Sequence, residues 1–195
     1  LYEVRSDFSL VDDVAAKHPV KLAQLQKLFL QEAEAHHVLP MDDRVFERMD
    51  AVAVGRPDLM GKRTSLTLAE GMTGMMEGVF INIKNRSKTI TAEVDVPAGA
   101  SNGTILAQGG RFGGWALYVK NGVPAYDYNY LGMKSTSITA SKPLPAGKAT
   151  IRYDFAYDGG GPGKGGVGTL FVNGEKVAEG RIEHTEAGMF SADET

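Results

Sequence analysis

Between Pro19 and about His37 the apolar residues Leu22, Leu25, Leu28, Phe29 and Ala33 recur at helical spacing among the polar residues Lys21, Gln24, Gln26, Gln31 and Glu34. This spacing predicts an amphipathic helix. Pro19 suits its first turn, where a missing N–H costs nothing, and His36 and His37 fall near the negative end of the helix dipole. Leu39-Pro40 is the expected stop. A second, short helical piece is expected from Asp42 to Met49, with Asp42 as its cap and Val45, Phe46 and Met49 on one side.

After Gly55-Arg56-Pro57 the apolar period changes from 3.6 to 2, which places a domain boundary there: a helical segment over 1–57 and a β domain over 58–195. In the run from Ile90 to Val96 the residues Ile90, Ala92, Val94 and Val96 alternate with polar ones, and Pro97 and Gly99 close that strand. The stretch from Ala107 to Gly122 joins a glycine-rich turn to an alternating strand, Trp115, Leu117 and Val119, and then to the hairpin signal Asn121-Gly122. Tyr126, Tyr128 and Tyr130 alternate on the return strand. Ala149, Ile151, Tyr153, Phe155 and Tyr157 do so further on, and Leu170 to Val172 precedes a second Asn-Gly at Asn173-Gly174. Many short strands separated by Gly, Pro and Asn turns predict a mainly β fold, an antiparallel sandwich of two sheets.

Composition narrows the function classes. The 195 residues suffice for a sizeable core, and 21 basic against 24 acidic residues give a net charge of -3, without the Lys/Arg cluster that a nucleic-acid backbone requires. Zero cysteines exclude disulfides, thiolate metal sites and a cysteine nucleophile. No apolar run approaches the ~20 residues that span a bilayer, so no membrane partner is expected, while the compartment stays open between periplasmic, secreted and cytoplasmic. The chain starts at Leu1 without a methionine, which suggests a piece of a longer protein.

Few residues point to chemistry. Gly161 to Gly166 satisfies G-x-G-x-x-G, but a dinucleotide site needs that pattern to open a helix and here a strand is expected to follow, so a hairpin connection is the better reading. Glu93 and Asp95 share a strand face, as the acids of jelly-roll glycosidases do, yet Pro97 and Ala98 occupy the positions where a third acid would stand. His36 and His37 diverge by about 100 degrees on a helix and cannot share a metal, and His18 and His184 lack ligands at metal spacing. Asp127, Asn129, Asp154 and Asp158 could bind a structural calcium if their strands are neighbours. Asn85-Arg-Ser87 and Asn102-Gly-Thr104 match the glycosylation sequon. The row Tyr126, Tyr128 and Tyr130 is the candidate binding surface, since exposed aromatics at alternate positions could stack on sugar rings.

Two stretches together resemble one family. The run from Leu1 to Ala15, the amphipathic helix, and Val38-Leu-Pro-Met-Asp-Asp-Arg44 are similar to the end of a sulfatase catalytic domain. Asn85 to Val94, Gln108-Gly-Gly-Arg-Phe-Gly-Gly-Trp115, Asp158-Gly-Gly-Gly161 and Val172-Asn-Gly174 resemble the C-terminal β domain of large bacterial arylsulfatases, members of the alkaline-phosphatase-like superfamily. The resemblance implies a concanavalin-like, jelly-roll sandwich and a parent enzyme that hydrolyses sulfate esters with a calcium or magnesium ion and a formylglycine made in a C/S-x-P-x-R motif. The nearest match to that motif is Ser141-Lys-Pro143-Leu-Pro145, where Pro145 stands in place of the arginine, so no catalytic, cofactor-binding or metal residue is carried over. Asp12-Asp13 and Asp42-Asp43 do not match the aspartate pair that opens the family's metal site, which is expected upstream. The chain alone is expected to be inactive, its sandwich stabilising the enzyme, shaping access to its pocket or mediating homo-oligomer contacts, with its own sulfatase catalytic domain as partner. Met72, Met75 and Met76 lie in a glycine-broken stretch suited equally to packing on such a domain or to filling this domain's own core. The rival reading is an autonomous lectin-like carbohydrate-binding module acting through the tyrosine row, and a third is a glucanase using Glu93 and Asp95.

Overall fold

A computed structural model of the chain describes residues 1–41, 43, 55, 57, 59–75, 77–99 and 101–190. The chain divides into two compact units, Leu1–Pro57 and Asp58–Thr195.

In the first unit Asp7 accepts the backbone N–H groups of Val11 at 3.1 Å and Asp12 at 2.9 Å, which curls the segment ahead of the α-helix α1, at Pro19–Ala35. Pro19 is its first residue, where the missing donor costs nothing. The helix ends before Leu39-Pro40, through a left-handed residue: His37 has φ 54°, the Val38 N–H reaches back to the Ala33 carbonyl at 2.8 Å and the His37 N–H to that of Glu34 at 3.2 Å. That pair of bonds satisfies the last carbonyls two residues earlier than a proline stop requires. Of α1 only Ala33 is buried, and Leu28, Phe29 and Leu30 are about half exposed (49%, 49% and 55%). The short helix expected from Asp42 to Met49 lies outside the described residues, as does Met76.

Among the described residues the second unit holds eight strands: β1 Lys88–Val96, β2 Gly103–Gly110, β3 Gly113–Lys120, β4 Val123–Tyr130, β5 Lys134–Thr139, β6 Gly147–Tyr157, β7 Lys164–Val172 and β8 Glu175–His184. They form two four-stranded antiparallel sheets, ordered β1-β6-β7-β8 and β2-β3-β4-β5. The fold is thus mainly β, an N-terminal helix followed by two sheets that face each other across one core, as in a β-sandwich. The β3–β4 and β7–β8 hairpins close in two-residue turns. Asn121 and Gly122 have φ of 53° and 79°, Asn173 and Gly174 of 49° and 87°, the paired positive values that let a two-residue turn follow the twist of its strands.

The core follows the period-2 pattern. Trp115, Leu117, Tyr126, Tyr128 and Ile138 from one sheet meet Ile151, Tyr153, Phe155, Leu170 and Ile182 from the other. The Tyr126 and Tyr153 rings stack at 3.6 Å between centroids and 11° between planes, directly joining the sheets, and Trp115 lies 5.9 Å from Tyr126. Glycines make room for this layer. A Cβ on Gly168 would lie 2.5 Å from the Tyr153 hydroxyl and 2.6 Å from Ile138 Cδ1, and one on Gly180 would lie 2.8 Å from Ile138 Cγ1.

Candidate functional site

The tyrosine row points into the protein. Tyr126 and Tyr128 are 0% and 2% exposed, and Tyr130 is half-buried with its ring 5.8 Å from that of His184. The outward positions of β4 belong to Asp127 and Asn129, so the row is part of the core rather than a platform for sugar stacking. Burial raises the pKa of Tyr126, Tyr128 and Tyr153 well above the ordinary tyrosine range. The Tyr128 hydroxyl accepts the Glu186 N–H at 2.6 Å, tying the segment after β8 to β4.

The other candidates separate. Glu93 and Asp95 lie on the exposed face of β1, an edge strand, opposite Thr150 and Lys148. The four calcium candidates are not gathered. Asp127 and Asn129 face outward from one sheet and Asp154 outward from the other, while Asp158 lies beyond β6. Each has a protein partner: Tyr118 Oη donates to Asp127 at 3.1 Å, Thr89 Oγ1 to Asp154 at 2.9 Å, and Arg181 grips Asp158 through two bonds of 2.8 and 2.6 Å. Those Arg181 bonds hold the Asp158 carboxyl below the usual carboxylate range. Among the described residues no group of three or more metal-ligand side chains comes together, and no helix is long and apolar enough to cross a membrane. The glycine loop runs straight into β7, pinned by Tyr157 Oη, which donates to the Gly161 carbonyl at 2.5 Å and accepts the Lys164 N–H at 2.9 Å.

Both sequon asparagines serve the fold. Asn85 donates to the Ala187 carbonyl at 2.8 Å and accepts the Gly163 N–H at 2.8 Å, and Asn102 accepts the Asn121 N–H at 2.7 Å. Met72 is 52% exposed, its sulfur 3.3 Å from the Ala69 N–H.

What the fold does assemble is a cluster at one end of the sandwich, around the glycine-rich β2–β3 hairpin. Phe190, 3% exposed, seats itself on that hairpin: a Cβ on Gly109 would lie 3.0 Å from Phe190 Cβ, and one on Gly113 2.9 Å from the Phe190 carbonyl. The Phe190 N–H donates to Glu77 at 2.9 Å, and Glu77 pairs with Lys84, whose amine also lies 5.3 Å from the centre of the Phe190 ring. Next to them Lys88 occupies an inward position of β1 opposite Phe155, its amine 5.5 Å from the Phe155 ring centre and 5.7 Å from that of Trp115. Trp115 Nε1 donates to Gln108 at 3.3 Å, which fixes the indole. Burial, with the Lys84 charge adding to it, pushes the Lys88 amine down to about 7. Sequence reasoning passed over Lys88, Lys84, Glu77 and Phe190, although Lys88 has the same parity as Ile90, Ala92, Val94 and Val96 and so had to point inward with them.

Asn129 holds the outer side of the same hairpin. Its Nδ2 donates to the Gly110 and Arg111 carbonyls at 2.7 and 2.9 Å, while its Oδ1 accepts the Gly132 N–H at 3.0 Å, so one side chain joins the β2–β3 and β4–β5 turns. Asn129→Ala is expected to cost ~1–3 kcal/mol in urea unfolding and to speed amide exchange at Gly132, leaving exchange in β6 and β7 unchanged. Unchanged exchange at Gly132 would mean that the turns hold without this bridge.

No family model, no curated protein and no solved structure matches the chain.

Proposed function

We propose that the chain is the C-terminal, non-catalytic portion of a bacterial arylsulfatase: a helical tail of the catalytic domain over 1–57, followed over 58–195 by a concanavalin-like sandwich of jelly-roll type. The sandwich stabilises the enzyme, shapes access to its pocket or mediates contacts between enzyme copies. The observation that carries the reading is the condition of α1. It displays Leu25, Leu28, Phe29 and Leu30 at 37–55% exposure and buries only Ala33, so among the described residues this apolar stripe is left without the body such a stripe is built to cover. In this proposal that body is the upstream catalytic domain, which also carries the formylglycine and the calcium or magnesium ion. The resemblance of Gln108–Trp115 to the family's glycine-tryptophan stretch supports the same reading, and that stretch has a structural duty here, as the seat of Phe190.

The test is the coding sequence upstream of Leu1, with an assay of the purified chain on 4-nitrophenyl sulfate. An upstream C/S-x-P-x-R motif with metal-ligand aspartates, and no turnover by the chain alone, is the expected pair of results. A start codon adjoining Leu1, or sulfate release by the chain itself, would overturn the proposal.

A further inference from the structure

The charges of α1 stand the wrong way round for a helix on its own. Aligned peptide dipoles leave the N-terminal end positive and the C-terminal end negative, so acids suit the first turn and bases the last. The first turn of α1 has no acid and carries Lys21, while the last turn has no base and carries Glu32 and Glu34. Among the described residues Lys21 makes no ion pair. Glu32 meets only His36, at 3.4 Å, and that imidazole is a counter-charge only while it holds a proton.

A second copy of the same helix, laid alongside in the opposite direction, corrects both ends at once. Lys21, Leu25, Leu28 and Glu32 follow one another at spacings of four, three and four residues, the spacing of a coiled-coil seam. At ~100 degrees per residue they lie within ~60 degrees of one another around the helix. All four are exposed, Leu25 by 37% and Leu28 by 49%. Turned end for end, the row base, leucine, leucine, acid becomes acid, leucine, leucine, base. A two-fold axis between Leu25 and Leu28 therefore sets Lys21 against the partner's Glu32 and Leu25 against the partner's Leu28, each pair occurring twice. The flanks agree with the same axis, with Gln24 beside the partner's Gln31 and Leu22 beside the partner's Phe29. The two helix dipoles then run opposed, each positive end beside a negative one.

We propose that α1 is a self-association site, through which two copies of the chain pair antiparallel along the row from Lys21 to Glu32. The reading goes beyond the proposed function and stands without it. It takes one side of the apolar stripe, and Leu30, ~160 degrees around the helix from Leu28, is left for an upstream domain. A helix of 17 residues offers a seam only ~25 Å long, short of the ~1,200 Å² that stable complexes bury, so the dimer is weak and reversible, with a dissociation constant of ~10–100 µM.

The experiment is sedimentation velocity of the full chain from ~5 to ~500 µM, at pH 8 and ~50 mM salt, where the charge pairs are little screened. The wild type should pass from monomer to dimer over that range. Lys21→Glu and Glu32→Lys each place like charges together twice across the axis and should weaken association at least ~tenfold. Both changes suit the dipole of the lone helix, so they do not unfold it. Mixing the two variants restores opposite charges at both places, and a mixed dimer should form where neither variant associates alone, which a misfolded variant could not do. Direction is read from disulfides. The chain has no cysteine, so Gln24→Cys and Gln31→Cys chains, mixed and oxidised, should link position 24 to position 31 far more often than either position to itself. A chain that stays monomeric throughout, single variants that associate as the wild type does, a mixture no better than its parts, or like-with-like disulfides would overturn the proposal. None of these results bears on the coding sequence upstream of Leu1, which tests the parentage of the chain separately.

Discussion

Replacing Gly114 by alanine is expected to destabilise the protein by ~2–5 kcal/mol, enough to unfold a marginal domain. Two physical effects combine there. The residue has φ 149°, inside the region that L side chains avoid, and an added Cβ would run into the Gln108 carbonyl and come within 3.0 Å of Gly109 Cα, both main-chain atoms that cannot swing aside. Gly159 separates the two effects, since it has φ 74° but nothing within 4 Å of its Cβ direction. Gly159→Ala should therefore carry the conformational cost alone, ~1–2 kcal/mol. Urea midpoints of the two variants give the comparison. Losses of equal size would show that backbone strain, and not the close approach of β2 and β3, is what makes glycine necessary at position 114.

The same hairpin shows what could be read from residues and what could not. Its turn chemistry and the inward aim of Trp115 and Leu117 follow from glycine content and period 2 alone. That Phe190 sits on it does not, because a contact between residues some 80 positions apart leaves no local pattern. The tyrosines illustrate a different limit. Periodicity says that Tyr126, Tyr128 and Tyr130 share a face, but not whether that face is wet; the alternate residues Asp127 and Asn129, which must go somewhere, decide it. The helix end was misplaced because a proline is conspicuous in sequence, whereas a histidine in the left-handed position is not. Glu93 and Asp95 share the parity of Thr89 and Thr91, opposite to the apolar set, and are solvated accordingly. Lys88 has the inward parity, which makes it the single polar residue of β1 whose sequence position alone announced a buried environment.

That half-buried lysine and the buried tyrosines give folding stability a peaked dependence on pH, with its maximum expected near pH 10. The Lys88 amine is pushed from its ordinary 10.5 down to about 7 in the folded protein, so between those values the unfolded chain holds a proton that the native state has released. Stability contributed by this group therefore rises with pH, by ~1.4 kcal/mol per pH unit across the window, and is lost as pH falls through 7. Tyr126, Tyr128 and Tyr153 act in the opposite direction. Burial raises each above its ordinary 10.0, so above pH 10 the unfolded chain gives up phenolic protons that the fold retains. Their contribution is intact below pH 10 and falls beyond it by ~1.4 kcal/mol per pH unit for each ring, or ~4 kcal/mol per pH unit for the three together. Urea unfolding from pH 6.5 to 11.5 should trace a gradual rise and then a steep collapse, with phenolate absorbance from these rings appearing as the protein unfolds rather than ahead of it. Lys88→Met should flatten the rise and leave the collapse, whereas Tyr153→Phe, which removes one buried phenol of the stacked pair, should soften the collapse and leave the rise. A flat profile between pH 7 and 10 would place the Lys88 amine in water, and phenolate formation by Tyr126 and Tyr153 near pH 10 in the folded protein would do the same for the stacked pair that joins the two sheets.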